Sequence, residues 1–202
     1  MLLNSKQIKD KGLICNDKTD NYKSASYTLQ VGKIIDEKDN TLNSHFIPPR
    51  GLVTVVSKET LNIPDGVLCY TTLKNELSLR GLLAINVGIV DPGWNAPISS
   101  AVMNFGKNNY KIEEGSKFLR VTFHSFDKDE NNPPKEEKYT FEKYVNERKN
   151  NHELVFSKNF LLLDKLLVEV FSENKYIIFT VLGVIIALFS LMLAMLKLLL
   201  LL

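Results

Sequence analysis

Residues 81–105 read GLLAINVGIVDPGWNAPISSAVMNF. An apolar run rich in β-branched residues stops at Asp91-Pro92-Gly93, presents Trp94, the chain's one tryptophan, and resumes as a second run. Short runs of this kind on either side of a Pro-Gly break predict two strands joined by a turn. An Asp ahead of Pro-Gly suits a β-turn for its own sake. A lone Trp beside a carboxylate equally suits the floor of a small-molecule site, and both readings stand at this point.

Similar runs lie on both sides: SASYTLQVGKII (24–35), GLVTVVSKETL (51–61), GVLCYTT (66–72), NYKIEEGS (109–116) and KFLRVTFHSF (117–126). They are rich in Val, Ile, Thr, Tyr and Phe and are divided by Asn, Gly, Pro and Asp, the pattern of a sandwich or barrel. One helix is expected ahead of them, with Asn4 or Ser5 as cap and Gly12 as stop. Residues 1–126 therefore read as a mainly β head. Asn86 and Asn104 read as residues that pair with backbone at strand ends.

The composition then changes. DKDENNPPKEEK (127–138) reads as a charged, exposed linker. Residues 139–175 carry Phe156, Phe160, Leu163, Leu167, Val170 and Phe171 at helical spacing, which predicts an amphipathic stalk. Its apolar face must bury against the head, a second copy of itself or the lipid surface, and the repeat of Phe156, Leu163 and Val170 every seven residues favours a self-associating stalk. Residues 176–196 hold no charge and reach the roughly 20 apolar residues that cross a bilayer as a helix. The stretch 176–202 is thus expected to be a C-terminal tail anchor, and residues 1–12 lack the apolar core of a signal peptide. Lys158, Lys165 and Lys175 precede the span and Lys197 closes it, which places the head in the cytoplasm by the positive-inside bias.

Other function classes find little support. A formal net charge of +2 with Lys and Glu intermixed argues against a nucleic-acid partner. Cys15 and Cys69 have no metal-site spacing and are expected to be free, buried thiols. His45, His124 and His152 are scattered, and no metal cluster is expected. There is no phosphate-binding Walker loop and no Gly-x-Ser-x-Gly elbow.

The order of motifs in the head resembles the dCTP deaminase/dUTPase superfamily. LNSKQIKDKGLI (3–14) is similar to its N-terminal helix, SASYTLQVGKII to the strand that follows, and HFIPPRGLVTVVSKETLNIPDGV (45–67) to the segment leading to the active-site loop. TTLKNELSLRGLL (71–83) stands where the family has its phosphate loop, GIVDPGWNAPI (88–98) where it has its substrate hairpin, and IEEGSKFLRVTF (112–123) where it has its last motif strand. Asp-Pro-Gly-Trp is the most specific of these matches. The resemblance implies a distorted β-barrel or jelly-roll subunit and a homotrimer with nucleotide sites between subunits. It also implies deamination without zinc, a carboxylate moving the proton while water attacks the base.

Several positions depart from that pattern. Ala101 occupies the position of the family's catalytic Glu, and alanine exchanges no proton. The phosphate loop reads Lys74, Asn75, Glu76, Leu77, Ser78, Leu79, with Leu79 where an Arg belongs and Arg80 one place on. Thr28 and Arg120 stand where Asp and Gln are expected. Asp91 falls at the position of the water-activating Asp of dUTPases, and Trp94 at that of an aromatic beside the nucleoside. The expected nucleotide contacts are Lys74, Asn75, Arg80, Asp91, Trp94 and Arg120, with Mg2+ arriving on the nucleotide if the site works. Three readings follow. One is a membrane-anchored, catalytically degenerate head that binds a nucleotide or partner and signals through its membrane helices, a layout shared with defence effectors. The others are an active nucleotide enzyme of the dCTP deaminase or dUTP diphosphatase type, and a trimeric assembly module.

Overall fold

The computed structural model of the chain describes residues 1–85, 88–128, 131, 133–155, 168 and 170–200. They form two compact units, Met1–Phe156 and Ser157–Leu202. The first opens with helix α1 (Ser5–Asp10), capped by Asn4. The Asn4 side chain accepts from the Gln7 N–H and the Gln7 side chain accepts from the Asn4 N–H, each at 2.9 Å. This reciprocal pair satisfies two donors left free at a helix start, and Gly12, at φ 59°, turns the chain out of the helix.

The strands follow in the order β1 (Ile14–Cys15), β2 (Tyr22–Lys23), β3 (Ser26–Ile35), β4 (Thr41–Leu42), β5 (Ser44–Ile47), β6 (Leu52–Ser57), β7 (Thr60–Asn62) and β8 (Val67–Leu73). A short helix, α2 (Asn75–Leu79), leads to β9 (Leu82–Ile85), β10 (Ile89–Val90), β11 (Trp94–Ala96), β12 (Ser99–Asn104), β13 (Tyr110–Glu113), β14 (Lys117–Ser125) and β15 (Glu137–Lys138). Helices α3 (Phe141–Val155) and α4 (Lys175–Leu200) complete the described elements. The main sheet runs β10-β8-β14-β3-β6-β12-β9, and a smaller one runs β1-β7-β11-β15. The head is mainly β, in a half-barrel arrangement.

β3 holds the main sheet together. Its first half pairs with β14, as in Tyr27↔Val121, and its second half with β6, as in Ile35↔Thr54. The register slips at Gly32, where a Cβ would stand 2.9 Å from the Lys58 backbone, so only glycine lets the strand pass that close. Because side chains alternate across a strand, Val53 and Val55 of β6 enter the main core with Tyr27, Leu29, Val102 and Phe123. Val56, on the other face, packs with Ile35, Ala96, Tyr144 and Val145. Residues 139–155, grouped with the stalk by sequence, thus supply a helix that covers the outer face of β3 and β6. Phe156, Phe160, Leu163 and Leu167 lie outside the described residues, as does Asn86. Asn104 is buried and donates to the Ile47 and Asn108 carbonyls at 2.8 Å each.

Both cysteines are free, but only Cys69 is buried. Cys15 was expected to be buried too. It sits on a two-residue edge strand paired with β7, where Ile14 takes the inward position and leaves Cys15 outside. In the second unit, α4 is long and apolar enough over Lys175–Lys197 to cross a membrane. Two of its hydroxyls return to its own backbone: Thr180 donates to the Tyr176 carbonyl at 2.7 Å and Ser190 to that of Ile186 at 2.9 Å.

Against β3 lies a fully buried carboxylate, that of Glu59. Glu59 accepts from the Tyr27 hydroxyl at 2.9 Å and from the Gln30 N–H at 2.8 Å, and that hydroxyl itself accepts from the Lys18 N–H. Burial raises the Glu59 carboxyl above its ordinary value, although these donors oppose the shift, and burial lifts Tyr27 to about 12. A raised folded value means the folded state keeps its proton where the unfolded chain has lost it. Glu59 therefore contributes stability that is full below its unfolded value and lost as pH rises through the folded one. Glu59→Gln places an amide where two donors need acceptors. It is expected to cost about 1–3 kcal/mol in urea unfolding at neutral pH and to flatten the pH slope just above 4.5.

Candidate functional site

The Asp91-Pro92-Gly93 turn joins two sheets. Before it, β10 pairs with β8, with Ile89 opposite Tyr70 and Val90 opposite Cys69. After it, β11 pairs with β7, with Asn95 opposite Asn62. The arms of the expected hairpin therefore belong to different sheets. Gly93 makes this crossing at φ 87°, a left-handed conformation that suits glycine. Its N–H donates to the Ile63 carbonyl at 2.7 Å, and its own carbonyl accepts from the Glu137 N–H at 2.9 Å. The second contact brings in β15, which runs parallel to β11 with Glu137 opposite Trp94. Residues 133–148 thus form a strap, first strand and then helix, laid along the turn.

The strap clasps Trp94. The indole is partly buried and donates through Nε1 to the Ala96 carbonyl at 3.1 Å. Its ring lies 6.0 Å from that of Tyr139 and 5.9 Å from that of Tyr144, the latter edge-on. The Tyr144 hydroxyl meets Ser99 Oγ at 3.1 Å, and burial pushes its pKa up. The Arg148 guanidinium stands 4.8 Å over the Tyr144 ring, a cation–π arrangement. Between turn and strap opens a cleft of about 840 Å³, lined among others by Asp91, Trp94, Ser99, Leu119, Tyr144 and Arg148. That volume lies within the ~300–1,000 Å³ usual for small-molecule sites.

The other expected contacts lie apart from this cleft within one protomer. Lys74 and Asn75 open α2, and Arg80 closes it. Glu76 ion-pairs with Lys74 and, at 3.2 Å, with Arg80. The hydrogen bond from Lys74, and then the charges of Lys74 and Arg80, hold the Glu76 carboxyl below its usual range. Arg120 is exposed on β14 between Thr28 and Thr72. Ala101 is 6 % exposed on β12, flanked by Thr54 and Ile85. Neither flanking residue is ionisable. Among the described residues, no three of His, Cys, Asp and Glu gather as a metal site.

No family model matches the chain. A dCTP deaminase of Thermococcus kodakarensis is 28 % identical over 130 residues, covering 61 % of this chain and 82 % of that protein. One from Pyrococcus horikoshii is 26 % identical over 166 residues, covering 78 % and 97 %. The head is similar in sequence to dCTP deaminases, which supports the dCTP deaminase/dUTPase superfamily. Its fold agrees with the crystal structure of the 2'-deoxycytidine 5'-triphosphate deaminase from Agrobacterium tumefaciens, at a TM-score of 0.52 and 11 % identity. That match covers 60 % of this chain and 48 % of the other.

The sequence pointed to Asp91 and Trp94, and both line the cleft. It did not point to Ser99, Tyr139, Tyr144 or Arg148. A signal for the last two was present, because Phe141, Tyr144, Val145 and Arg148 recur at i, i+3, i+4 and i+7, one face of a helix. The strap rests on Gly93, where a Cβ would meet the Lys135 carbonyl at 2.3 Å. Gly93→Ala is expected to lift it. Hydrogen exchange of the 137–148 amides should accelerate, with more than about 1 kcal/mol of stability lost.

Proposed function

We propose that the chain is a membrane-anchored dCTP deaminase/dUTPase-like protein whose trimeric head binds a nucleotide without deaminating it. The state of the head then reaches the membrane helices. The observation that carries this reading is Ala101. At the position where the resemblance places the general acid/base, a buried methyl group stands between Thr54 and Ile85, and no proton can be exchanged there. The loop at α2 supports the same view, since Glu76 already engages Lys74 and Arg80, the charges a triphosphate would use. In the trimer, Lys74, Asn75, Arg80 and Arg120 of one subunit would face the Asp91–Trp94 turn of another.

The layout proposed along the chain is a β head with the strap and α3 folded onto it, a stalk beyond α3 that leads to residue 175, and a tail anchor (176–202), with the head in the cytoplasm. Three heads would gather three membrane helices, a geometry suited to a sensor or to a defence effector acting on the membrane. Mg2+ takes part as the counter-ion of the nucleotide's phosphates. A second reading, hydrolysis of a nucleoside triphosphate, is favoured by the Asp91 carboxylate in the cleft.

The test uses the full-length protein in lipid nanodiscs with Mg2+ and dCTP or dUTP. Thermal shift is expected to register binding while chromatography finds neither deaminated base nor released diphosphate. Diphosphate release that disappears in Asp91→Asn would establish the second reading instead. Native mass spectrometry of the same sample should give three copies per particle.

A further inference from the structure

We infer that Arg148 on α3 is the anion-binding group of the cleft, so that a bound nucleotide joins the β head to the strap preceding the membrane segment. The inference rests on the nucleotide-binding reading above and assigns a residue outside the family motifs, carried by this chain's own C-terminal half.

The guanidinium is positioned in advance. It lies over the Tyr144 ring, which is fixed below by Ser99 and packed among Ile35, Val56 and Ala96. Its Nη2 reaches Glu147 at 3.2 Å, while Nε is buried with no hydrogen-bond partner. A guanidinium offers five donors in a planar fork that matches phosphate oxygens two at a time. Here part of that fork is unused at the wall of a cleft large enough for a small molecule. The unpaired buried Nε leaves the group short of acceptors, and the side chain is 29 % exposed, so a phosphate oxygen can approach the guanidinium at the cleft wall.

The rest of the lining limits the ligand. Lys135 adds a second cation, whereas Asp91, Asp65 and Glu137 add carboxylates. A uniformly anionic molecule such as free phosphate is repelled by the acidic groups. A molecule with hydroxyl or amino donors at one end and phosphates at the other satisfies both. That is the chemistry of a nucleotide, with its sugar or base toward Asp91 and its phosphates toward Arg148 and Lys135. Because Arg148 sits on α3, occupancy strengthens the attachment of the strap to the turn.

The experiment measures dCTP and dUTP affinity of the full-length protein in nanodiscs by calorimetry, with hydrogen exchange of residues 133–148 as a second readout. Arg148→Gln should weaken binding by about ten- to a hundred-fold, and Arg148→Lys by less. Glu147→Gln, which frees Nη2, should tighten binding by roughly two- to five-fold. The gain should vanish when Glu147→Gln is combined with Arg148→Gln, whereas mere loss of a negative charge would leave it in place. Nucleotide should slow exchange in the strap of the wild type and not of Arg148→Gln. If the wild type binds and the Arg148 and Glu147 variants bind with unchanged affinity, this inference falls while the nucleotide-binding reading stands. If the wild type binds neither nucleotide, both fall.

Discussion

The backbone of Gly93 is the contact on which both halves of the head depend. Its N–H is taken by Ile63 and its carbonyl by Glu137, so β7, β11 and β15 meet around one residue. A positive φ and a carbonyl 2.3 Å from the place of a Cβ leave room for glycine alone. Proline and aspartate before it set the turn, and the tryptophan after it becomes the centre of an aromatic cluster with Tyr139 and Tyr144. Turn, strap and cleft are therefore consequences of one backbone geometry, and the chemistry of the cleft is decided by what that geometry brings to its walls.

What it brings departs from the motifs that the resemblance implies. β3 is shared between two halves of the main sheet and the Asp91 carboxylate lies in the cleft. The position that the resemblance gives to the general acid/base holds Ala101, between Thr54 and Ile85. The two cations near α2 share the single carboxylate of Glu76, which offsets part of their charge. A cation stands at the wall of the cleft itself, Arg148, supported by stacking on Tyr144 and by Tyr144's contact with Ser99.

The apolar helix α4 follows from composition. The 23 residues from Lys175 to Lys197 satisfy their backbone as a helix, and Thr180 and Ser190 return their hydroxyls to carbonyls one turn back. In hydrocarbon, where unpaired polar groups are costly, this makes the helix self-sufficient. It needs nothing from the head in order to form.

By itself, the sequence determined the features that arise from local periodicity and steric restriction. These are the β runs with their alternating apolar faces, the α1 cap at Asn4, the turn at Asp91-Pro92-Gly93, and an apolar helix of membrane-spanning length. Tertiary structure alone decided which strands the turn connects, that Cys15 faces outward, and that the charged stretch after Phe126 ends in a strand against Trp94. The reason is separation along the chain. Glu137 meets Trp94 across 43 positions (137 − 94) through a strand of two residues, too short to show any period. Likewise, Glu76 engages both Lys74 and Arg80 only because one turn of helix gathers all three, and Arg148 joins the cleft only because α3 folds back onto β3 and β6. Pattern specifies an element's type, but the partner it meets depends on which surfaces remain to be buried once the elements have formed.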